Sequence, residues 1–213
     1  MDELELLKKD WQKDNANFPK LSYDDIYKMI LKKSSSIVKW IFIISILEFV
    51  FWTVIAFAFK DSKSIKEFDS FHADYLIIPL TVLGYLVLGY FFYLFFRNYK
   101  RISVTDNAKN LMENILNTRR TVRHYVAFNL VYLVIATGVA LFVQFDQNPD
   151  LITMSHKAAA DGNLFVFYAK FILITAVFLV GAIAILLFFY WLIYGILLKR
   201  LNRNYKELKK LEV

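Results

Sequence analysis

Apolar residues in this chain collect into four long runs, separated by polar and charged stretches. The runs cover residues 37–59, 75–96, 126–143 and 165–198. Each is apolar all round rather than along one stripe, the pattern of a helix surrounded by lipid and not of one lying on a soluble core. A helix needs about 20 residues to cross the hydrocarbon of a bilayer, and runs of this scale meet that need. The pattern predicts an all-α, polytopic membrane protein with four transmembrane helices. Its expected organisation is a cytoplasmic N-terminal helical segment at 1–36, a transmembrane domain at 37–198 that includes a cytoplasmic helical loop at 97–125, and a cytoplasmic C-terminal helix at 199–213.

Between the runs the period becomes one-sided. In "DELELLKKDWQK", Leu4, Leu7 and Trp11 fall on one helical face. After "NFPK", the string "LSYDD" offers Ser22 as an N-cap with Asp25 three residues on, a capping-box start. Ile26, Met29 and Ile30 follow on one face. In the middle loop Ala108, Leu111, Ile115, Val122 and Val126 recur at helical spacing, with Ser103 or Thr105 as the expected cap. The tail steps through Tyr194, Leu198, Leu201, Tyr205 and Leu208 by alternating fours and threes. A stripe left in water costs about 25 cal/mol per Å². The three pieces must therefore pack on one another, on a second copy or on a partner. Leu4, Leu7, Trp11, Ile26 and Ile30 are the partner-binding candidates, because this helix pair hangs on the break at "NFPK" and Trp is favoured in interface hot spots.

Charge adds an orientation. Arg97, Lys100, Arg101, Lys109, Arg119, Arg120 and Arg123 crowd the middle loop, and Lys199, Arg200, Arg203, Lys206, Lys209 and Lys210 crowd the tail. The connections at 60–74 and 144–164 carry more acids than bases. Lys and Arg mark the cytoplasmic side, so both termini are expected inside. The expected location is a bacterial inner membrane, with no cleavable secretory signal before the first run. Topology and attraction to anionic lipid account for the net charge of +7. The expected partners are therefore the lipid bilayer and a cytoplasmic or membrane protein, or a second copy, and no nucleic acid.

Candidate chemistry is sparse. There are no cysteines, and the three histidines, His72, His124 and His156, sit on separate segments. No glycine-rich phosphate loop, HExxH or GxSxG occurs. No catalytic residue, metal or cofactor is expected, and the protein is read as a non-enzyme. The exception to the apolar runs is Glu48 in "IFIISILEFVFWTVIAF", eleven residues from either end of its run and so expected near the midplane. An ionisable group at depth costs about 3 kcal/mol and is a functional hypothesis by default. Counting from the run ends places Tyr85 and Thr137 at the same depth as its expected partners. Lys170 is expected to mark the outer boundary of the fourth run, with "FFYWLIY" as the inner aromatic belt. Asn129 is read as packing glue, and Ala136 and Ala140 as a small pair that seats a neighbouring helix closely.

The segments "LKKDWQK", "LSYDDIYKMILKKSSSIVKWIFIISILEF" and "RNYKRISVTDNAKNLMENILNTRRTVRHYV" resemble a family of uncharacterised four-span inner-membrane proteins of Bacteroidota, mainly flavobacteria. The likeness covers nearly the whole chain. It implies fold and location and transfers no catalytic or binding residue. Some members carry a label as a carotene-cleaving oxygenase, an activity that needs four iron-binding histidines where this chain has three. The function expected is a non-enzymatic regulatory or accessory protein whose cytoplasmic helices bind a protein partner, an anti-sigma-like regulator being one version. The alternative is a small transporter or channel subunit that uses Glu48.

Overall fold

The computed structural model describes residues 22–105 and 107–211, and every element within them is helical. The order is α1 (Tyr23–Phe59), α2 (Lys63–Asp69), α3 (Asp74–Ser103), α4 (Ala108–Gln147), α5 (Pro149–Ala160), α6 (Leu164–Tyr190) and α7 (Ile196–Leu211). A π-helical turn, Trp191–Gly195, joins α6 to α7 without a break. Four helices, α1, α3, α4 and the α6–α7 rod, are long and apolar enough to cross a membrane. They run up and down, so Ser22 and Leu211 lie at one end of the bundle, the termini end. The short helices α2 and α5 close the other, the hairpin end.

The spanning helices are longer than a membrane requires. The 37 residues of α1 extend about 55 Å at 1.5 Å each, against about 30 Å of hydrocarbon. The surplus builds a collar at the termini end. Ile30 and Val38 of α1, Ile102 of α3, Leu111 and Ile115 of α4, and Leu201 and Leu208 of α7 form one buried core. Among the described residues, the stripes of α1, α4 and α7 therefore pack on one another. Ile30 is 3% exposed and Ile26 is half-buried against the same core, which takes Ile30 out of the surface open to a partner. Polar ties cross the collar. The Asn204 amide donates to Ser34 Oγ at 3.0 Å, the Asn98 amide to Thr121 Oγ1 at 3.0 Å, and Arg119 to Asn202 Oδ1 at 3.0 Å.

The start of α1 is the expected capping box. The Asp25 N–H donates to Ser22 Oγ at 3.2 Å, and the Ser22 N–H donates to the Asp25 carboxylate at 3.2 Å. The Ser22 hydroxyl and then its N–H hold the Asp25 carboxyl below its usual range. The cap of α4 is Asn107, whose side chain accepts from the Lys109 N–H at 2.8 Å, rather than Ser103 or Thr105. Those two hydroxyls turn back onto the Lys100 and Arg101 carbonyls and finish α3 instead.

α6 is peripheral. Phe165, Val177 and Phe178 point away from the bundle, and only a narrow stripe through Phe171, Thr175, Leu179, Ile183 and Leu186 is half-buried. The helix is held near the hairpin end by Tyr168 and Phe171 against Phe145, and at the other end by Tyr190. By contrast α3 and α4 come close at Gly84, where the Tyr132 ring occupies the space a Cβ would take.

Candidate functional site

Where the collar meets the apolar bundle, the side chains of α1, α4 and the α6–α7 rod converge on Glu48. The Tyr190 hydroxyl donates to Glu48 Oε1 at 2.5 Å. The Tyr125 and Tyr194 hydroxyls donate to Oε2 at 2.9 and 3.3 Å. One carboxyl group thus accepts three phenolic hydrogen bonds, and both oxygens serve as acceptors. Asn129, one turn beyond Tyr125 on α4, lines the same crevice and lies within interaction range of the Tyr125 and Tyr190 hydroxyls. It belongs to the cluster rather than to general packing.

Local sequence explains the convergence. Tyr190 and Tyr194 are one turn apart and share a face of the rod, and the chain widens into the π turn between them, a feature frequent at functional sites. The Tyr125 ring is boxed edge-on by Phe91, Phe95, Tyr190 and Tyr194, with centroids 5.4 to 6.5 Å apart. Such edge-to-face contacts fix ring orientation as well as burying area. Tyr125 and Tyr194 are almost fully buried, whereas Glu48 is half-buried.

The exposed side of Glu48 opens on a crevice of about 320 Å³ between α1, α3, α4 and α6. Its polar end holds Glu48, Tyr125, Tyr190 and Asn129, and its walls are Phe49, Trp52, Leu88, Leu133, Ala136, Leu186 and Tyr132, whose hydroxyl donates to the Leu80 carbonyl. Ala136 lines the crevice between these helices. Its small side chain is one reason the crevice is open.

Tyr85 and Thr137 do not meet Glu48. Tyr85 stacks edge-on against Phe49 and is largely exposed, and the Thr137 hydroxyl donates to the Leu133 carbonyl of its own helix. The depth count fails for a physical reason. Val38 and Ile41 are apolar because they sit in the protein core, at 0% exposure, and not because lipid surrounds them. Counting from Ile37 therefore pairs Glu48 with the wrong level of the neighbouring helices. Its true level is that of Tyr125, at the termini-end limit of the α4 run, and of Tyr190 and Tyr194 in "FFYWLIY". A sequence signal existed: a buried tyrosine hydroxyl needs a partner, and Glu48 is the strongest acceptor in the runs. Leu4, Leu7 and Trp11 lie outside the described residues.

Among the described residues no three His, Asp or Glu side chains gather to hold a metal ion. Glu48 has no ion-pair partner among the described residues, whose salt bridges are Lys66–Asp61 and Arg203–Glu207. The fold and site define an all-helical protein with four helices fit to cross a membrane, built around a carboxyl–tyrosine cluster. Residues 24–213 match the domain of unknown function DUF8845, and the chain belongs to that family. No curated protein and no solved structure matches it.

Proposed function

We propose that this is a non-enzymatic regulatory or accessory protein of a bacterial inner membrane, with both termini cytoplasmic. Glu48 and its tyrosines are the input, and the collar is the output to a protein partner or a second copy. The observation that carries this reading is the continuity of the α6–α7 rod. Tyr190 and Tyr194 bind Glu48, and Leu201 and Leu208, further along the same helix, are collar core. A change at the carboxyl group moves the rod, and the rod moves the collar. Net basic charge at the termini end supports the orientation. The partner surface falls to the segment bearing Leu4, Leu7 and Trp11, and to Tyr23, Met29 and Val104, which stay exposed on the collar.

The test is co-purification of tagged full-length protein from native membranes, alongside Glu48→Gln. A defined protein, or a second copy, should accompany wild type and be depleted with the variant. Two preparations that both come out alone would remove the reading. Orientation is checked separately in the cysteine-free background, where Lys157→Cys should react with an impermeant maleimide added outside intact cells and Lys109→Cys should not.

The crevice favours one second reading, a transporter or channel subunit using Glu48. Against it, the walls beyond the cluster carry no acidic or basic side chain and a single hydroxyl, that of Tyr132, which is bonded to the Leu80 carbonyl. Proteoliposomes showing a cation or proton flux lost in Glu48→Gln would promote this reading over the first.

A further inference from the structure

Resting on the reading of Glu48 as the functional centre, we propose that the crevice takes up a membrane amphiphile with a primary ammonium head, which docks against Glu48 while its alkyl chain lies along α4. Three observations carry this. The first is polarity. The crevice is polar at one end and apolar along its length, the same division as in an amphiphile. Its 320 Å³ is at the small end of the roughly 300–1,000 Å³ typical of small-molecule sites, room for a head and part of one chain.

The second is direction. Glu48 is level with the aromatic residues at the termini-end boundary of the apolar bundle, and the crevice runs from Tyr125 to Ala136 towards the middle of the bundle. The eleven steps along α4 from Tyr125 to Ala136 span about 16 Å. A molecule seated there has its head at the interface and its tail towards the bilayer centre, as in the surrounding leaflet. It enters sideways past the sparsely packed α6, without turning over and without its head crossing hydrocarbon.

The third is hydrogen-bonding demand. Three tyrosine hydroxyls already donate to Glu48, and no cation among the described residues faces it. A group that brings both N–H donors and positive charge complements this carboxyl best, since three donors already converge on it and no salt bridge reaches it among the described residues. A primary ammonium brings both. A quaternary ammonium brings charge without a donor, and an alcohol a donor without charge.

The experiment uses full-length protein in nanodiscs of phosphatidylcholine and phosphatidylglycerol, with thermal unfolding followed by circular dichroism. The probes, at equal mole fraction, are oleylamine, oleyl alcohol, an oleyl trimethylammonium salt and phosphatidylethanolamine. Oleylamine is expected to raise the wild-type midpoint, and the alcohol and the quaternary salt to leave it in place. If phosphatidylethanolamine acts like oleylamine, the natural source is a bilayer lipid. If only oleylamine acts, it is a free alkylamine. Glu48→Gln should abolish the shift. So should Ala136→Trp, which fills the crevice and leaves the cluster untouched, and which answers the case where Glu48→Gln does not fold. No shift in folded wild type overturns the proposal. An equal shift with the alcohol, or one that persists in Ala136→Trp, does the same. Because the partner assay above does not involve amines, loss of this proposal would leave the regulatory reading standing, and the reverse also holds.

Discussion

Asn204 and Ser34 are 170 positions apart in the chain and joined by a hydrogen bond of 3.0 Å, with both side chains buried. The bond fastens α7 to α1 in the middle of the collar. Asn204→Leu removes the donor and strands a buried hydroxyl, at a cost of about 1–3 kcal/mol. The double variant Ser34→Ala/Asn204→Leu, which has no stranded group, should unfold closer to wild type than Asn204→Leu alone. Thermal unfolding in detergent compares them. A double variant no better than the single would mean the pair matters through shape rather than hydrogen bonding.

Substitutions around Glu48 should rank by how many hydroxyls they leave without an acceptor. Tyr125→Phe and Tyr190→Phe each delete one donor, and hydrogen bonds between membrane helices average about 0.6 kcal/mol. Glu48→Gln replaces one acceptor oxygen with an NH₂ that faces hydroxyls already donating, so it should lose more. Glu48→Ala strands all three and should lose the most. The ranking is read from unfolding midpoints in one detergent, and a flat series would deny the cluster any part in stability.

Gly84 and Gly89 lie on the same helix and predict opposite outcomes. A Cβ at Gly84 would fall 2.7 Å from the Tyr132 hydroxyl and 2.8 Å from its ring, whereas nothing lies within 4 Å of one at Gly89. Tyr132 is also tied down by its 3.2 Å bond to the Leu80 carbonyl, so it cannot swing aside without losing that contact. Gly84→Ala should therefore destabilise by about 1–3 kcal/mol, the range for overpacking. Gly89→Ala should be neutral or mildly stabilising through helix propensity. Parallel unfolding curves decide it.

Asp25 makes the start of α1 sensitive to acid. Its carboxyl is held below the ordinary value of 3.8 by the Ser22 hydroxyl and N–H. A depressed folded-state value gives stability that is present above the unfolded value and lost as the pH falls through the folded one. Amide exchange in the first turn of α1 should thus be flat near neutrality and speed up below about pH 4. Asp25→Asn should remove the pH-dependent part of that change. A first turn whose exchange is indifferent to acid in wild type would dismiss the box as a stabilising device.

The spanning helices, the Ser22 cap and the collar stripes were legible in the sequence because each depends on local periodicity. Leu111, Ile115, Leu201 and Leu208 fall where the 3.5- to 3.6-residue repeat puts them. The partners of Glu48 were not legible, since they depend on how far each helix is displaced along its axis. That displacement is set by the collar core, whose apolar residues cannot be told from lipid-facing ones by composition. Ile41 and Leu47 are equally apolar, yet one is 0% and the other 57% exposed. The cap of α4 was missed by a related ambiguity, because Ser103 and Thr105 serve the end of one helix as readily as the start of the next.

The loose seating of α6 bears on how this family can change over generations. Between its contacts with Phe145 at one end and Glu48 at the other, the helix meets little but its surroundings, and Val177, Phe178 and Val180 are each more than half exposed. On the exposed face of that stretch only polarity is constrained by the packing, so Leu, Ile, Val and Phe should exchange freely there from one lineage to the next. Glu48, Tyr125, Tyr190 and Tyr194 have less latitude, since losing Glu48 takes the acceptor from all three buried hydroxyls and each tyrosine has its place only while Glu48 is there. When aligned, relatives should drift along the middle of α6 and keep or lose these four together.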